Sequence, residues 1–139
     1  MKLIIDKYNR EFRPKLQRLD FRSLDDYNMD IQFMEKNRVT SLTGTETLAF
    51  VIKDIEDNAL VFTDQFTVEG TGDDLLYRIP VAFNTVELAS FLGTQLYKDA
   101  YMSLRWSEDG EYRSTPPTKV RLYRSLVDGS ILVDVGSPP

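Results

Sequence analysis

Apolar residues recur at every second position in short runs broken by turn-forming residues. A period of two belongs to strands, whose side chains alternate between the two faces of a sheet. Tyr27, Met29, Ile31 and Phe33 alternate with Asn28, Asp30 and Gln32, the pattern of a strand with one buried and one wet face. Leu75, Tyr77, Ile79, Val81 and Phe83 repeat it, with Pro80 inside the run, which favours an edge strand or a bulge because proline has no N–H for the ladder. Between Thr47 and Ile55, Leu48, Phe50 and Ile52 fall on one side and Ala49, Val51 and Ile55 on the other. A strand apolar on both sides is expected to sit centrally in its sheet.

Further strands are expected at Leu60 to Val68 after an Asp57-Asn58 turn, and at Ala100 to Trp106, where Met102, Leu104 and Trp106 share a face. Ser107 to Gly110 reads as a turn that brings back Glu111 to Ser114 as a hairpin partner. Lys119 to Leu126 follows Pro116-Pro117, and Asp128-Gly129 predicts a hairpin returning through Ile131 to Val135. One segment departs from the period of two. Asn84 reads as a helix N-cap with Glu87 three residues on, Leu88, Phe91 and Leu92 at helical spacing, and Gly93 as the stop. The expected fold is therefore all-β: a two-sheet antiparallel sandwich, immunoglobulin-like or jelly-roll, with one short helical turn near residues 85–92. Residues 17–135 form the sandwich and 136–139 a flexible tail. Residues 1–16 read as an N-terminal arm or added edge strand.

At 139 residues the chain has the length of one domain. It contains no cysteine and no histidine, which removes disulfides, thiolate nucleophiles, Cys/His zinc sites and histidine-based triads. With 17 Lys+Arg against 22 Asp+Glu the net charge is −5, a poor basis for sequence-independent binding to phosphates. The apolar run Leu3-Ile4-Ile5 is too short for a secretory core, and no window approaches a membrane span. No signal peptide, membrane or nucleic-acid partner is expected.

Three groups of residues are candidates for chemistry. Acidic clusters at Asp25-Asp26, Asp54-Glu56-Asp57, Asp73-Asp74 and Glu108-Asp109-Glu111 fall at predicted turns. None has EF-hand spacing; Asp54 to Asn58 comes nearest to a calcium loop, and solvated turns are the plainer reading. A hydrolase using paired carboxylates is the weakest alternative. Gly70 and Gly72 have no following helix to make a phosphate cradle. Tyr97, Tyr112 and Tyr123 are candidate sugar-stacking rings, whereas Trp106 reads as core. Arg105, Arg113, Lys119, Arg121 and Arg124 concentrate where the last hairpins meet and mark a possible subunit contact. No catalytic, metal or cofactor residue is assigned.

From Leu42 to Leu126 the sequence resembles the N-terminal sandwich domain of tailed-phage baseplate and tail proteins of the upper-baseplate type. The resemblance is carried by Leu42-Thr43-Gly44 with Phe50-Val51-Ile52-Lys53-Asp54, and by Phe83-Asn84-Thr85-Val86-Glu87-Leu88. A third part is Leu104-Arg105-Trp106-Ser107-Glu108-Asp109-Gly110 with Arg113-Ser114-Thr115 and the strand from Val120 to Leu126. Family members usually continue into a long helical or fibre-forming region, whereas this sequence runs to Pro139. The resemblance implies a non-enzymatic virion subunit of tail, baseplate or head, made in the host cytoplasm. Its partners would be copies of itself, as a homo-oligomer, and other virion proteins. The expected contact residues are Leu3, Ile5, Tyr8 and Phe12 of the arm, laid on a neighbour by strand addition, together with Arg105, Arg113, Arg121 and Tyr123. The alternative is a carbohydrate-binding sandwich.

Overall fold

The computed structural model describes residues 1–42 and 47–125. The Asp128-Gly129 turn, the strand Ile131 to Val135, the tail 136–139 and the Thr43-Gly44 part of the first motif lie outside the described residues. In chain order the strands are β1 (Lys2–Asp6), β2 (Glu11–Phe12), β3 (Leu19–Arg22), β4 (Asp26–Glu35), β5 (Arg38–Thr40), β6 (Thr47–Lys53) and β7 (Ala59–Thr63). They continue with β8 (Thr67–Glu69), β9 (Leu76–Ala82), β10 (Tyr97–Glu108), β11 (Glu111–Ser114) and β12 (Thr118–Tyr123), and one helix, α1 (Val86–Leu92), follows β9. Sheet I has the order β2-β1-β4-β9-β8 with β5 also on β4; sheet II has the order β3-β12-β10-β6-β7 with β11 also on β10.

The two-sheet, all-β architecture is as the alternation implied, but the sheets are mixed rather than antiparallel throughout. β1 runs parallel to β4, and β3 runs parallel to β12. Period-two patterning reports which face a residue occupies and is blind to strand direction. The two strands concerned, β1 and β3, join partners far away in the sequence.

Of the two readings of residues 1–16, the structure has the strand rather than the arm: β2 is the edge of sheet I. β1 lies inside sheet I between β2 and β4, and Leu3, Ile5 and Phe12 are buried in the common core. Three further expectations are corrected. The run Leu60 to Val68 is two strands in different sheets, because the chain crosses from sheet II to sheet I between β7 and β8. The helix cap is Thr85 rather than Asn84: its hydroxyl accepts from the Leu88 N–H and donates to the Leu60 carbonyl, tying α1 to β7. The turn after β10 is shortened to Asp109-Gly110, both at positive φ (53° and 81°), with Glu108 opposite Glu111. This is the geometry of a two-residue hairpin, so Ser107 and Glu108 belong to the strand.

The core lies between the sheets. β4 and β9 contribute Met29, Ile31, Phe33, Tyr77, Ile79 and Val81; β6, β10 and β12 contribute Leu48, Phe50, Ile52, Met102, Leu104, Trp106, Val120 and Leu122. Trp106 packs against Phe33 across the interface, with ring centroids 5.2 Å apart. Pro80 falls beyond the short β8, which pairs only with Leu76 to Arg78, so its missing N–H interrupts no ladder there.

Candidate interaction surface

In sheet II the alternation that puts Met102, Leu104 and Trp106 in the core puts Tyr97, Asp99, Tyr101, Ser103 and Arg105 on the outer face. Cross-strand register sets neighbours beside them: Tyr123 opposite Tyr97, Arg121 opposite Asp99, Val51 opposite Ser103 and Ala49 opposite Arg105. Phe62 of β7 stands opposite Val51. The outer face therefore has two halves.

One half is aromatic and charged. Arg121 donates to the Asp99 carboxylate through Nε at 2.8 Å and Nη2 at 3.4 Å, and Lys119 reaches the same carboxylate at 3.4 Å. The Arg121 hydrogen bond holds the Asp99 carboxyl below the usual carboxylate range and raises the guanidinium in turn. Arg121 also lies over the Tyr97 ring at 4.3 Å, and Arg22 lies over Tyr123 at 5.7 Å. The Tyr97 and Tyr123 rings sit 5.9 Å apart and tilted by 47°, so they do not present a flat platform. Tyr112 carries Arg105 on its ring face at 4.4 Å.

The other half is an apolar groove of about 660 Å³. Its lining includes Ala49, Val51, Ile55, Phe62 and Tyr101, with the charged residues Lys53, Asp54, Asp57 and Arg105 also on it. Phe62 and Ile55 are 59% and 84% exposed, so these apolar groups face solvent rather than the core. β6 does sit inside its sheet, flanked by β10 and β7, as its two-sided pattern implied. Its second apolar side is covered by no element among the described residues. That side forms the groove.

Of the expected contact residues, Arg105, Arg121 and Tyr123 lie on this face. Arg113 does not: it binds Glu108 at one end of the sandwich. Tyr8 is exposed at that end too (88%), away from the groove, while Leu3, Ile5 and Phe12 are core residues with no surface to offer a partner.

The end of the sandwich holds an ion-pair network whose members continue the alternation of two strands. The inward face of β1 runs Leu3, Ile5 and on to Lys7; that of β10 runs Leu104, Trp106 and on to Glu108. Lys7 Nζ donates to Glu108 Oε2 at 2.5 Å, with side chains only 8% and 9% exposed. Arg113 donates to Glu108 Oε1 at 2.9 Å. A cross-sheet pair of opposite charge thus closes the core where the apolar residues stop. The Asp54 carboxylate, the calcium candidate, accepts from the Glu56 and Asn58 backbone N–H groups, each at 2.9 Å. Those bonds fold the loop and hold its carboxyl below the usual range. Among the described residues no group of three acidic side chains is placed to hold a metal ion. No helix among them is long and apolar enough to cross a membrane.

The geometry defines the class: an all-β, two-sheet sandwich with an uncovered apolar and arginine-rich sheet face. No protein-family profile matches the sequence, and no curated protein matches it. Among solved structures the fold is similar to the N-terminal domain of phage TP901-1 ORF48, with a TM-score of 0.39 and 11% identity. That match covers 89% of this chain and 96% of the other. It is also similar to murine CRIg, with a TM-score of 0.33 and 9% identity over 79% of this chain and 93% of the other.

Proposed function

We propose that this chain is a non-enzymatic structural subunit of a phage virion, assembling with copies of itself and with other virion proteins through the outer face of sheet II. The observation that carries the assembly reading is the second apolar side of β6, left open as the groove beside Phe62 and Tyr101. A strand apolar on both sides needs cover on both, and an apolar patch rimmed by arginine and tyrosine has the composition of an interface core. The phage setting comes from the sequence motifs between Leu42 and Leu126.

Native mass by light scattering over a concentration series tests it. The expected result is a defined oligomer that Phe62→Asp dissociates while the melting temperature stays close to that of the parent. A monomer at every concentration, or an oligomer indifferent to Phe62→Asp, overturns the self-assembly reading.

A further inference from the structure

We propose that the outer face of sheet II pairs with the same face of a second copy, about a two-fold axis that lies between the faces and runs across the strands. The inference rests on the assembly reading above and fixes how the two copies meet on that surface.

The groove has an electrical direction. Register puts Ala49 beside Arg105 and Lys53 beside Tyr101, so β6 runs along the groove from Arg105 toward the loop that follows Lys53. At the first end Arg105 is exposed, lies against the Tyr112 ring and has no carboxylate partner among the described residues. At the other end, about 13 Å further along the strand, Asp54 and Asp57 line the groove with Lys53. Asp57 pairs with Lys53 at 3.0 Å and keeps its side chain 83% exposed. One end lacks a carboxylate, and the other carries one more than its cation neutralises.

Symmetry then selects the arrangement. Two like faces meet about a two-fold axis lying between them, and each contact occurs twice. An axis along the strands sets every level of the sheet against the same level of the partner, Arg105 with Arg105 and Asp57 with Asp57. An axis across the strands at the level of Val51 and Ser103 reverses the strand direction instead. Arg105 of each copy then faces the Lys53–Asp57 end of the other, and the charges at both ends are met. Phe62 stands opposite Val51 and so lies at the level of the axis, where it meets its own counterpart. The Asp99–Arg121 pair of one copy comes to the level of Tyr112 in the other, because Tyr112 stands opposite Ser107.

The face is large enough. Along the order β3-β12-β10-β6-β7, and from Tyr97 to Arg105 on β10, it measures roughly 24 Å by 26 Å. Two such faces bury about 1,250 Å² together, which falls in the range of stable protein pairs.

The test uses the full chain. Arg105→Glu and Asp57→Lys should each weaken self-association at least about tenfold, since either change puts two like-charge contacts into one interface. An equal mixture of the two variants should associate again. The introduced glutamate then meets the introduced lysine, and the native Arg105 meets the native Asp57. Asp57→Asn, which suits the positive φ of 69° at that position, should weaken association by a smaller factor. Melting temperatures near the parental value show that each variant is folded. The parent should have the mass of a dimer or of an assembly with an even number of copies, and an odd number overturns the arrangement. If Phe62→Asp dissociates the oligomer while Arg105→Glu and Asp57→Lys leave it intact, or if the mixture stays dissociated, the two-fold arrangement falls and the assembly reading stands. If none of the three variants dissociates it, or the parent is a monomer, both fall.

Discussion

Single side chains show how the two sheets are locked together. The buried Tyr77 hydroxyl accepts from the Leu42 N–H at 2.9 Å, so Tyr77→Phe leaves a buried donor without that acceptor. The expected cost is about 1–3 kcal/mol in urea unfolding; no loss would mean that the Leu42 N–H finds solvent. Glu108 joins Lys7 and Arg113 at the end of the core. Glu108→Leu takes the nearest carboxylate from both cations, leaving Lys7 with Glu35 at 3.7 Å and the Ser41 carbonyl, and Arg113 with Glu111, and should cost about 2–3 kcal/mol. The Lys7→Met, Glu108→Leu double variant should recover much of that, and a strictly additive double variant would remove the coupling. Asp30 is held below the usual carboxylate range by its hydrogen bond from Arg78, and Asp99 by Arg121. A depressed folded value means that the unfolded chain binds the proton more readily. These carboxylates therefore stabilise the fold above their ordinary range, and the contribution is lost as pH falls below about 4 and through the lower folded values. Asp30→Asn should flatten the fall of unfolding free energy over that window. An unchanged slope would assign the acid sensitivity to other groups. The residues of this layer were on view in the sequence as Lys7 and Glu108, charges ending two apolar alternations. Their partnership was not, because nothing local aligns the end of β1 with the end of β10.

At the level of elements, the turns and caps were the most legible. Asp109-Gly110 makes the two-residue turn its composition implies, and Ser107 and Glu108, which also read as turn, extend the strand. The cap of α1 moved by one residue because Thr85, rather than Asn84, meets both the Leu88 N–H and the Leu60 carbonyl. Thr85→Ala removes both bonds and should cost about 1–2 kcal/mol, read as a lower midpoint in chemical unfolding. A change within error would mean that α1 does not depend on this cap. β3 and β5 escaped notice because four and three residues are too few to show a period. The crossing from β7 to β8 escaped it because one apolar run served two sheets. Gly70 has a positive φ of 75°, and a methyl group there would collide with the Asp74 carbonyl oxygen. The short turn before β9 therefore needs glycine for two independent reasons.

For the molecule as a whole, both sheets contribute to one core, so unfolding is expected to be a single transition. Trp106 sits between the sheets and reports on their separation, while far-UV circular dichroism reports on the strands. Coincident curves from the two probes are the expected result, and separated midpoints would show that one sheet outlasts the other. The parallel pair β3·β12 joins residues about a hundred positions apart, so folding should proceed in milliseconds to seconds rather than microseconds. The class of fold, the faces of the long strands, the helix near residue 86 and the exclusion of cysteine and histidine chemistry were all legible along the chain. Each of these follows from side-chain period or composition, which are local properties. That Leu3, Ile5 and Phe12 are core rather than contact residues came from the folded packing, because burial depends on which strand lies alongside. The packing alone decided that two strand pairs are parallel, since alternation carries no direction. It also decided that the second apolar side of β6 has no cover among the described residues. An apolar side chain reads the same in sequence whether its own fold covers it or leaves it for another molecule.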